Sequence, residues 1–465
     1  MSTSETAEPQ ERLPRQIPFI IGNEACERFS FYGMRSILTA FLVESLLLTQ
    51  VPDEGARKAL AKEHFHLFVA GVYFFPLLGG FVADKFFGKY RTILWLSILY
   101  VVGHVFLALF ENSVNGFYAG LFLIALGSGG IKPCVSSMVG DQFTDKNKHL
   151  AKKVFAYFYF SINFGSFFAS LLIPQMRKWF GASVAFGLPA VLMAAAVVVF
   201  WLGRDYYVRV PPAPGDPDSF LRVIWTGFFG KGDSFWDRAE KKHGAESVEG
   251  TRAVFRLLGI FAFIPFFWML FDQKASTWVI QAKQMDQKVG SWNIEPSQMQ
   301  SINPALVMIL IPLTTEVIYP AFKRWGYELT PLRRIPIGMI IGASSYVVAG
   351  LIDRPVAAGQ SISILWQLAP YLLLTIAEIL VSTTGLEFAY SQAPRKMKGT
   401  IMAFWSLTNT IANIGVSQFT PLNERHKWVV GSDQFFVYAG LALVAGIGLA
   451  FYARSYKVVD FYQKA

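Results

Sequence analysis

The sequence predicts an all-α membrane protein, with twelve transmembrane helices in two six-helix bundles. Three observations carry this prediction. The 465 residues are 53% hydrophobic and only 16% charged, against about 25% charged in soluble domains. Apolar segments recur at lengths near the roughly 20 residues that cross a bilayer as helix. The basic residues are divided very unevenly between alternate loops.

The apolar segments lie at 17–48, 64–84, 92–111, 116–140, 154–176, 183–203, 254–282, 298–322, 335–352, 361–391, 399–420 and 433–453. Between the sixth and seventh, residues 204–253 are polar, contain Pro211-Pro212-Ala213-Pro214-Gly215, and lack two further spanning runs. The expected division is a tail 1–16, a bundle 17–203, a linker 204–253, a bundle 254–455 and a tail 456–465. Six plus six spans about a linker is the pattern of two pseudo-symmetric transporter halves. With the N-terminus inside, 28 of the 42 Lys and Arg fall in inside segments, counting Arg256 at the linker end of the seventh segment, and 10 in outside loops. The remaining four, Arg28, Arg35, Lys132 and Lys274, lie within spans. This bias puts both termini and the linker in the cytoplasm. It also reads the net charge of +10 as an orientation signal, so the expected partner is the lipid bilayer and not nucleic acid. Residues 1–15 are polar and no small-residue cleavage site follows the first apolar segment, so no signal peptide is expected. Cys26 and Cys134 both fall within spans and form neither a disulfide framework nor a zinc pattern; no metal or cofactor is expected.

The most informative stretch is Glu24-Ala25-Cys26-Glu27-Arg28-Phe29, inside the first span. Each charge there costs about 2.5–3.5 kcal/mol even on the mildest insertion scale. Tyr32 and Arg35 follow one and two turns later on the same helix face. This stripe reads as the wall of a polar cavity within the bilayer. Other ionisable residues deep within spans are His66, Lys132, Asp272, Lys274, Glu378 and Glu387, with Glu316 nearer the cytoplasm. Ion pairing is expected, because unpaired charge is not tolerated in hydrocarbon. The first half supplies Arg28, Arg35 and Lys132, the second Asp272 and Glu378. A ligand with a carboxylate at one end and an ammonium at the other suits such walls, and a zwitterionic peptide is that ligand.

Between the second and third segments, Gly80-Phe81-Val82-Ala83-Asp84-Lys85-Phe86-Phe87-Gly88-Lys89-Tyr90-Arg91 resembles the loop motif of the major facilitator superfamily, whose role is to tie helix ends together. Three motifs then resemble the proton-dependent oligopeptide transporter family within it. They are Glu24-x-x-Glu27-Arg28-Phe29-x-Phe31-Tyr32, then Gly127-Ser128-Gly129-Gly130-Ile131-Lys132-Pro133 running on to Gly140-Asp141-Gln142-Phe143, and Phe158-Tyr159-Phe160-Ser161-Ile162-Asn163-Phe164-Gly165-Ser166. The first motif usually ends in two tyrosines; Phe31 replaces one of them, which removes a hydroxyl. Many bacterial members insert two extra helices between the halves, and residues 204–253 do not provide them.

The resemblance implies site roles. Arg28 and Lys132 would hold a peptide carboxylate, and Glu378 the peptide amino terminus. Asn163 and Asn303 would bond the peptide backbone, Tyr32 and Tyr73 would line the pocket, and Trp405 would pack on a side chain. Glu24, Glu27, His66 and Asp272 would serve proton coupling, and Arg35 would gate with Asp272. His66, seven residues before Tyr73 on one helix face, matches a histidine of the animal peptide transporters. An imidazole titrating at about pH 6.5 changes charge in a useful range.

Several of these residues also have plainer readings. Glu24, Glu27 and Arg28 could be a structural ion network, and Lys132 could snorkel to water. Asp272 could only gate, against Arg35 or Lys274. His66, close to the outer loop and to His64, could be solvated. Trp405 could be core packing. Glu387 is expected to pair near Pro394-Arg395-Lys396, and Glu316 toward Lys323 and Arg324. The many phenylalanines, 43 in all, read as lipid-facing or interhelical packing. The expected function is proton-coupled uptake of di- and tripeptides by alternating access in a bacterial inner membrane, by a monomer. The alternative on the same fold is a carrier of another solute, such as nitrate or a glycoside. No phosphate-binding GxxxxGK[ST] loop or nucleophile–base pair is visible, so ATP-driven transport and enzymatic activity are not expected.

Overall fold

The computed structural model describes residues 13–144, 147–212, 217–392 and 397–458. The first six helices are α1 (Ile17–Phe41, continued by a π-turn at Leu42–Leu46), α2 (Glu54–Val82), α3 (Gly88–Leu109), α4 (Val114–Asp141), α5 (Ala151–Phe180) and α6 (Ala182–Leu202). Next come α7 (Phe220–Phe229), α8 (Phe235–Phe261), α9 (Ile264–Asp272), α10 (Thr277–Gln284), α11 (Ile302–Leu313) and α12 (Tyr319–Arg324). The last five are α13 (Pro331–Ala357), α14 (Leu368–Glu378), α15 (Thr384–Ser391), α16 (Lys398–His426) and α17 (Asp433–Ser455). One short antiparallel pair, Lys288–Val289 with Trp292–Asn293, follows α10.

Helix ends answer to caps more than to hydropathy. α2 starts at Glu54, ten residues before the apolar run, because the Asp53 side chain accepts a bond from Ala56 N at 2.7 Å, satisfying one of the amides that a helix start leaves unpaired. α2 and α3 meet at Gly88, whose φ of +74° is open to glycine and costly for other residues. There Lys89 pairs with Asp141 at the end of α4, at 2.6 Å. Two residues of the loop motif thus tie three helix ends together.

Among the described residues, eight helical stretches are long and apolar enough to cross a membrane, or nine when the bent pair 235–261 and 264–284 counts as one. The expectation of twelve exceeds this at three places, for physical reasons. α1 carries Glu24, Glu27, Arg28 and Arg35, too many charges to read as apolar. α16 is rich in Thr, Asn and Ser. α2 and α3 run on as one 56-residue helical stretch, about 84 Å if straight, and are separable only at Gly88. The seventh span, expected as one helix, is broken into α8, α9 and α10 with a 48° bend.

By internal contacts the chain forms two compact units. The first holds the described residues of 1–61, 71–213 and 294–308; the second holds those of 62–70, 214–293 and 309–465. In the first, α1 packs on α5 and α6, and α3 on α4 and α6. Glycines of the sequence motifs set the approach distances. A Cβ on Gly79 of α2 would lie 2.2 Å from Gly129 O of α4, and one on Gly127 would lie 2.8 Å from Leu96 O and from Tyr100 Cβ of α3. Gly165 does the same for α5 against α1, 3.0 Å from Ala25 O. In the second unit α13 packs on α17 and α14, and α16 on α9, around Phe261, Phe267, Trp268, Met339 and Trp405.

The linker, expected only to be polar, folds into α7 and the start of α8. Thr226 Oγ1 meets His243 Nε2 at 2.8 Å, and His243 Nδ1 meets Asp218 at 2.9 Å. Val223 of α7 packs with Ala239 and Val248 of α8, while Leu221, Trp225, Phe228 and Phe229 stay exposed.

Backbone-on-backbone contact makes the α2–α4 seam intolerant of added volume. Gly79→Ala is expected to destabilise the protein by about 1–3 kcal/mol, the usual cost of overpacking. Its neighbour Gly80, with nothing nearer than 3.9 Å, should accept alanine without loss. Thermal unfolding of both variants in detergent checks this; equal melting temperatures would refute the seam.

Candidate functional site

In the first unit the charges on α1 meet one another. Arg28 Nε lies 2.8 Å from Glu24 Oε1 and 2.7 Å from Glu27 Oε2. Residues four apart share a helix face, which brings Glu24 to Arg28, while Glu27, adjacent in the chain, reaches the same nitrogen from the side. All three are buried, Glu27 fully and Arg28 to 8% exposure. Lys132 of α4 lies near Glu27 as well. Its Nζ stands 4.7 Å from the centre of the Phe31 ring and 4.3 Å from that of Tyr73, within the range of cation–π attraction. The cluster holds two carboxylates, two cations and the faces of two rings, sealed from water.

Tyr32 sits edge-to-face on Phe31. Asn163 is nearly buried and donates Nδ2 to Tyr159 O at 3.0 Å. Asn303 belongs to this unit, because residues 294–308 join it through Gln300 Nε2 to Ser36 O at 2.9 Å and Gln298 Nε2 to Leu171 O at 2.8 Å. Arg35, on the face of α1 two turns from Arg28, is also buried.

In the second unit the buried charge is held by amides. Asp272 ends α9, where the chain breaks into a 3-10 turn at Gln273–Ala275. Its Oδ2 accepts from Asn413 Nδ2 at 2.8 Å and Asn409 Nδ2 at 3.2 Å, both on α16. His66 is fully buried, which overturns the reading as a solvated histidine. Its Nδ1 is 2.7 Å from Asn413 Oδ1 and its Nε2 is 2.9 Å from Ser276 Oγ. Asn413 therefore bridges the histidine and the aspartate.

This geometry settles a tautomer. Asn413 Nδ2 faces three oxygens, Asp272 Oδ2, Asn409 Oδ1 at 2.8 Å and Asn409 O at 3.0 Å, which fixes the amide orientation. Its Oδ1 can only accept, so His66 Nδ1 carries a hydrogen. The proton of variable occupancy is then the one on Nε2. Neutral His66 accepts there from the Ser276 hydroxyl. Charged His66 donates to Ser276 Oγ, whose hydrogen turns to Gln273 O at 3.4 Å.

The remaining candidates of this unit are less central. Glu378 is half-buried at the end of α14, where a π-turn at Ile379–Thr383 begins. Trp405 is packed edge-to-face on Phe261 and Trp268, with its ring over Gly385, where a Cβ would be 2.6 Å away; this is core packing. Lys274 Nζ stands over the Phe271 ring at 3.1 Å. Arg395 and Lys396, the expected partners of Glu387, lie outside the described residues. Glu316 is exposed, and Lys323, its expected partner, lies 4.0 Å from Glu328.

A family model described as POT family matches residues 90–436. The chain belongs to the POT family. This is a family of transporters, and the chain is a multi-pass membrane protein. The structure matches that of the POT family transporter PepTSo with a TM-score of 0.91 at 50% identity, over 97% of this chain and 99% of that one. An auto-inhibited POT family peptide transporter gives a TM-score of 0.93 at 45% identity, with the same coverage. These neighbours fix the fold class as that of the major facilitator superfamily. Among curated relatives, "Peptide transporter 3" of Caenorhabditis elegans is 37% identical over 74% of this chain and 51% of its own length. "Solute carrier family 15 member 2" of Mus musculus is 36% identical over 73% of this chain and 49% of its own. The chain spans about half the length of the curated relatives it matches.

For this POT family chain, sequence reasoning missed Asn409, Asn413 and Ser276. Their signal is present in hindsight. Asn409 and Asn413 are four residues apart, one face of a helix that is otherwise to be buried, and amides there need partners. It also missed Tyr100, whose phenol reaches the Glu27 cluster from α3.

The bridge through Asn413 can be measured. Asn413→Leu leaves the His66 Nδ1 hydrogen and Asp272 Oδ2 short of a partner, at about 1–3 kcal/mol for each orphaned group. In a double-mutant cycle, His66→Leu combined with Asn413→Leu is expected to cost less than the sum of the single changes by about 1 kcal/mol. Strict additivity in thermal or denaturant unfolding would show the two side chains to be uncoupled.

Proposed function

We propose that this chain is a proton-coupled symporter that imports di- and tripeptides by alternating access. The observation that carries the reading is the buried Arg28 guanidinium with two carboxylates on one nitrogen, at 2.7 and 2.8 Å. An ion pair sealed from water is held by its partners, and removing one without replacement leaves an uncompensated charge. A peptide carboxylate can take the place of one glutamate. The displaced glutamate then needs a proton to stay in the low dielectric. Anion exchange on Arg28 thereby links peptide binding to proton uptake.

Lys132, held over Phe31 and Tyr73, supplies a second cation for that carboxylate. Glu378 takes the peptide ammonium. Tyr32, Asn163 and Asn303 complete the set of substrate residues, with Asn163 offering Oδ1 while its Nδ2 is engaged on Tyr159 O. His66 and Asp272, joined by Asn413, take the coupling proton, and Arg35 gates with Asp272. Each proton moving inward gains about 2.3 kcal/mol per 100 mV of membrane potential, enough to support accumulation. Peptide as the solute is supported by the names of the relatives, which are peptide transporters. In this reading the chain acts as a monomer in a bacterial inner membrane with both termini cytoplasmic.

Labelled Ala-Ala should accumulate above equilibrium in proteoliposomes under an inward proton gradient with inside-negative potential, and a protonophore should abolish the accumulation. Absence of dipeptide uptake by vesicles containing folded protein would move the substrate to another solute. Asp272→Asn keeps the size of the side chain while removing its titration. It is expected to lose proton-driven accumulation at least tenfold while retaining peptide counterflow. Equal loss of both activities would remove Asp272 from coupling.

A further inference from the structure

The corner where α2 meets α3 encloses a cavity that the proposed transport cycle does not use. The chain leaving α6 returns across this corner as a strap. Gln142, of the Gly140-Asp141-Gln142-Phe143 motif, grips the strap with both ends of one amide. Its Nε2 donates to Val208 O at 3.2 Å, and its Oε1 accepts from Val208 N at 2.9 Å. The strap passes over Gly88, where a Cβ would stand 3.6 Å from Val210 O and 3.7 Å from Pro212 Cδ. Between the strap, the corner and the end of α4 lies a cavity of about 210 Å³. Pockets for drug-sized ligands begin at about 300 Å³, so this one suits a small group and not a peptide.

The charge in the cavity is unbalanced. Lys89, Arg91 and Arg209 line it against one carboxylate, Asp141, an excess of two positive charges. Asp141 is already taken by Lys89, at 2.6 Å. Among the described residues neither Arg91 nor Arg209 has a carboxylate partner. The Arg209 guanidinium stands 4.1 Å from the centre of the Tyr90 ring, and Tyr90 stacks on Phe200 at 5.4 Å. One Arg209 nitrogen donates to Arg204 O. A ring face and a carbonyl thus hold this side chain without cancelling its charge. Basic residues at helix ends also orient a membrane protein, but orientation needs only charge in the loop. It does not need two uncancelled guanidinium groups lining one walled cavity, where they repel each other. An anion between them removes that repulsion.

We propose that this cavity binds a phosphate group, with Arg91 and Arg209 as its main ligands and Lys89 as a third cation. The planar fork of arginine meets phosphate in a bidentate geometry that lysine does not offer. The phosphate can come from a phospholipid headgroup or from a soluble phosphate. Phe87 lines the cavity and, with Phe86, stays exposed, so an acyl chain leaving the cavity meets apolar surface. Neither proton coupling nor the identity of the transported solute enters this assignment.

The test is binding, without transport. Full-length protein in phosphate-free dodecyl maltoside is titrated by calorimetry with three probes: dioctanoyl phosphatidylglycerol, dioctanoylglycerol, which has the same chains and no phosphate, and inorganic phosphate. The phosphatidylglycerol is expected to bind saturably and the diacylglycerol not. Arg91→Gln combined with Arg209→Gln should weaken that binding by about tenfold or more, the worth of one charge-assisted hydrogen bond. Lys85→Gln removes an exposed cation of the same loop motif that does not line the cavity, and should leave the affinity unchanged. Inorganic phosphate binding with the same dependence on the two arginines would make a soluble phosphate the source; lipid binding alone would make it the headgroup. No saturable binding of either, equal binding of the diacylglycerol, equal affinity in the double variant or an equal loss in Lys85→Gln overturns the site. A second reading uses the native protein. Phenylglyoxal adducts on Arg91 and Arg209, measured by peptide mass, should form more slowly with the probe bound, while the exposed Arg222 reacts as before. An undiminished rate at both arginines refutes the site.

Discussion

The constraint on which the rest depends is that a charge inside the bilayer must bring its partner with it. Arg28 satisfies this within one helix. Glu24, four residues before it, and Glu27, the residue next to it, meet a single Nε. Aromatic faces and buried hydroxyls surround the trio. Hydrophobic side chains of the same volume would pack as well at lower cost, so charges kept in a segment where they are expensive call for a reason.

The two units meet the same constraint differently. The first answers charge with charge and with ring faces. The second surrounds Asp272 with carboxamide donors from α16 and ties them to His66 through Asn413. Helix breaks accompany both arrangements. Asp272 and Glu378 each stand at the end of a helix where the regular turn gives way, to a 3-10 turn in one case and a π-turn in the other. Such breaks leave carbonyls and amides unpaired by the helix, which is tolerated at membrane depth only where protein buries them. The Tyr371 hydroxyl near Lys274 O, at 3.4 Å, and the Tyr346 hydroxyl on Leu270 O, at 2.7 Å, serve that purpose around α9.

Much of this was legible in the sequence, and the limits have physical causes. The helix-length segments followed from hydropathy, and the Glu24–Arg28 contact followed from helical spacing. The start of α2 did not, because the Asp53 cap acts on the backbone and leaves no apolar signature. The break between α9 and α10 did not, because no proline or glycine marks the turn at Gln273, whereas Pro265 opens α9 at its break from α8. The burial of His66 was misjudged in one of its two readings because its proximity to polar residues in sequence says nothing of what covers it. Asn413, Asn409 and Ser276 looked like ordinary polar residues of a long helix and a turn; their role is a property of three segments brought together. Trp405, which could line a pocket or fill a core, is settled toward the core by Gly385 beneath its ring, a pairing invisible at a separation of twenty residues.

The departure at Phe31 fits the same logic. The family pattern has a tyrosine there, and a tyrosine hydroxyl at a position only 2% exposed would need a partner of its own. Phenylalanine needs none, and its ring still offers a negative face to a cation. Lys132 uses that face together with the Tyr73 ring, at 4.7 and 4.3 Å. Two rings stabilise an ammonium without neutralising it, whereas a carboxylate in their place would compete with any incoming anion. The loss of the hydroxyl therefore leaves the Phe31 ring face as what covers Lys132 on that side. It also removes a polar contact on one side of the cluster, so the hydroxyl that remains against Glu27 comes from α3, from Tyr100.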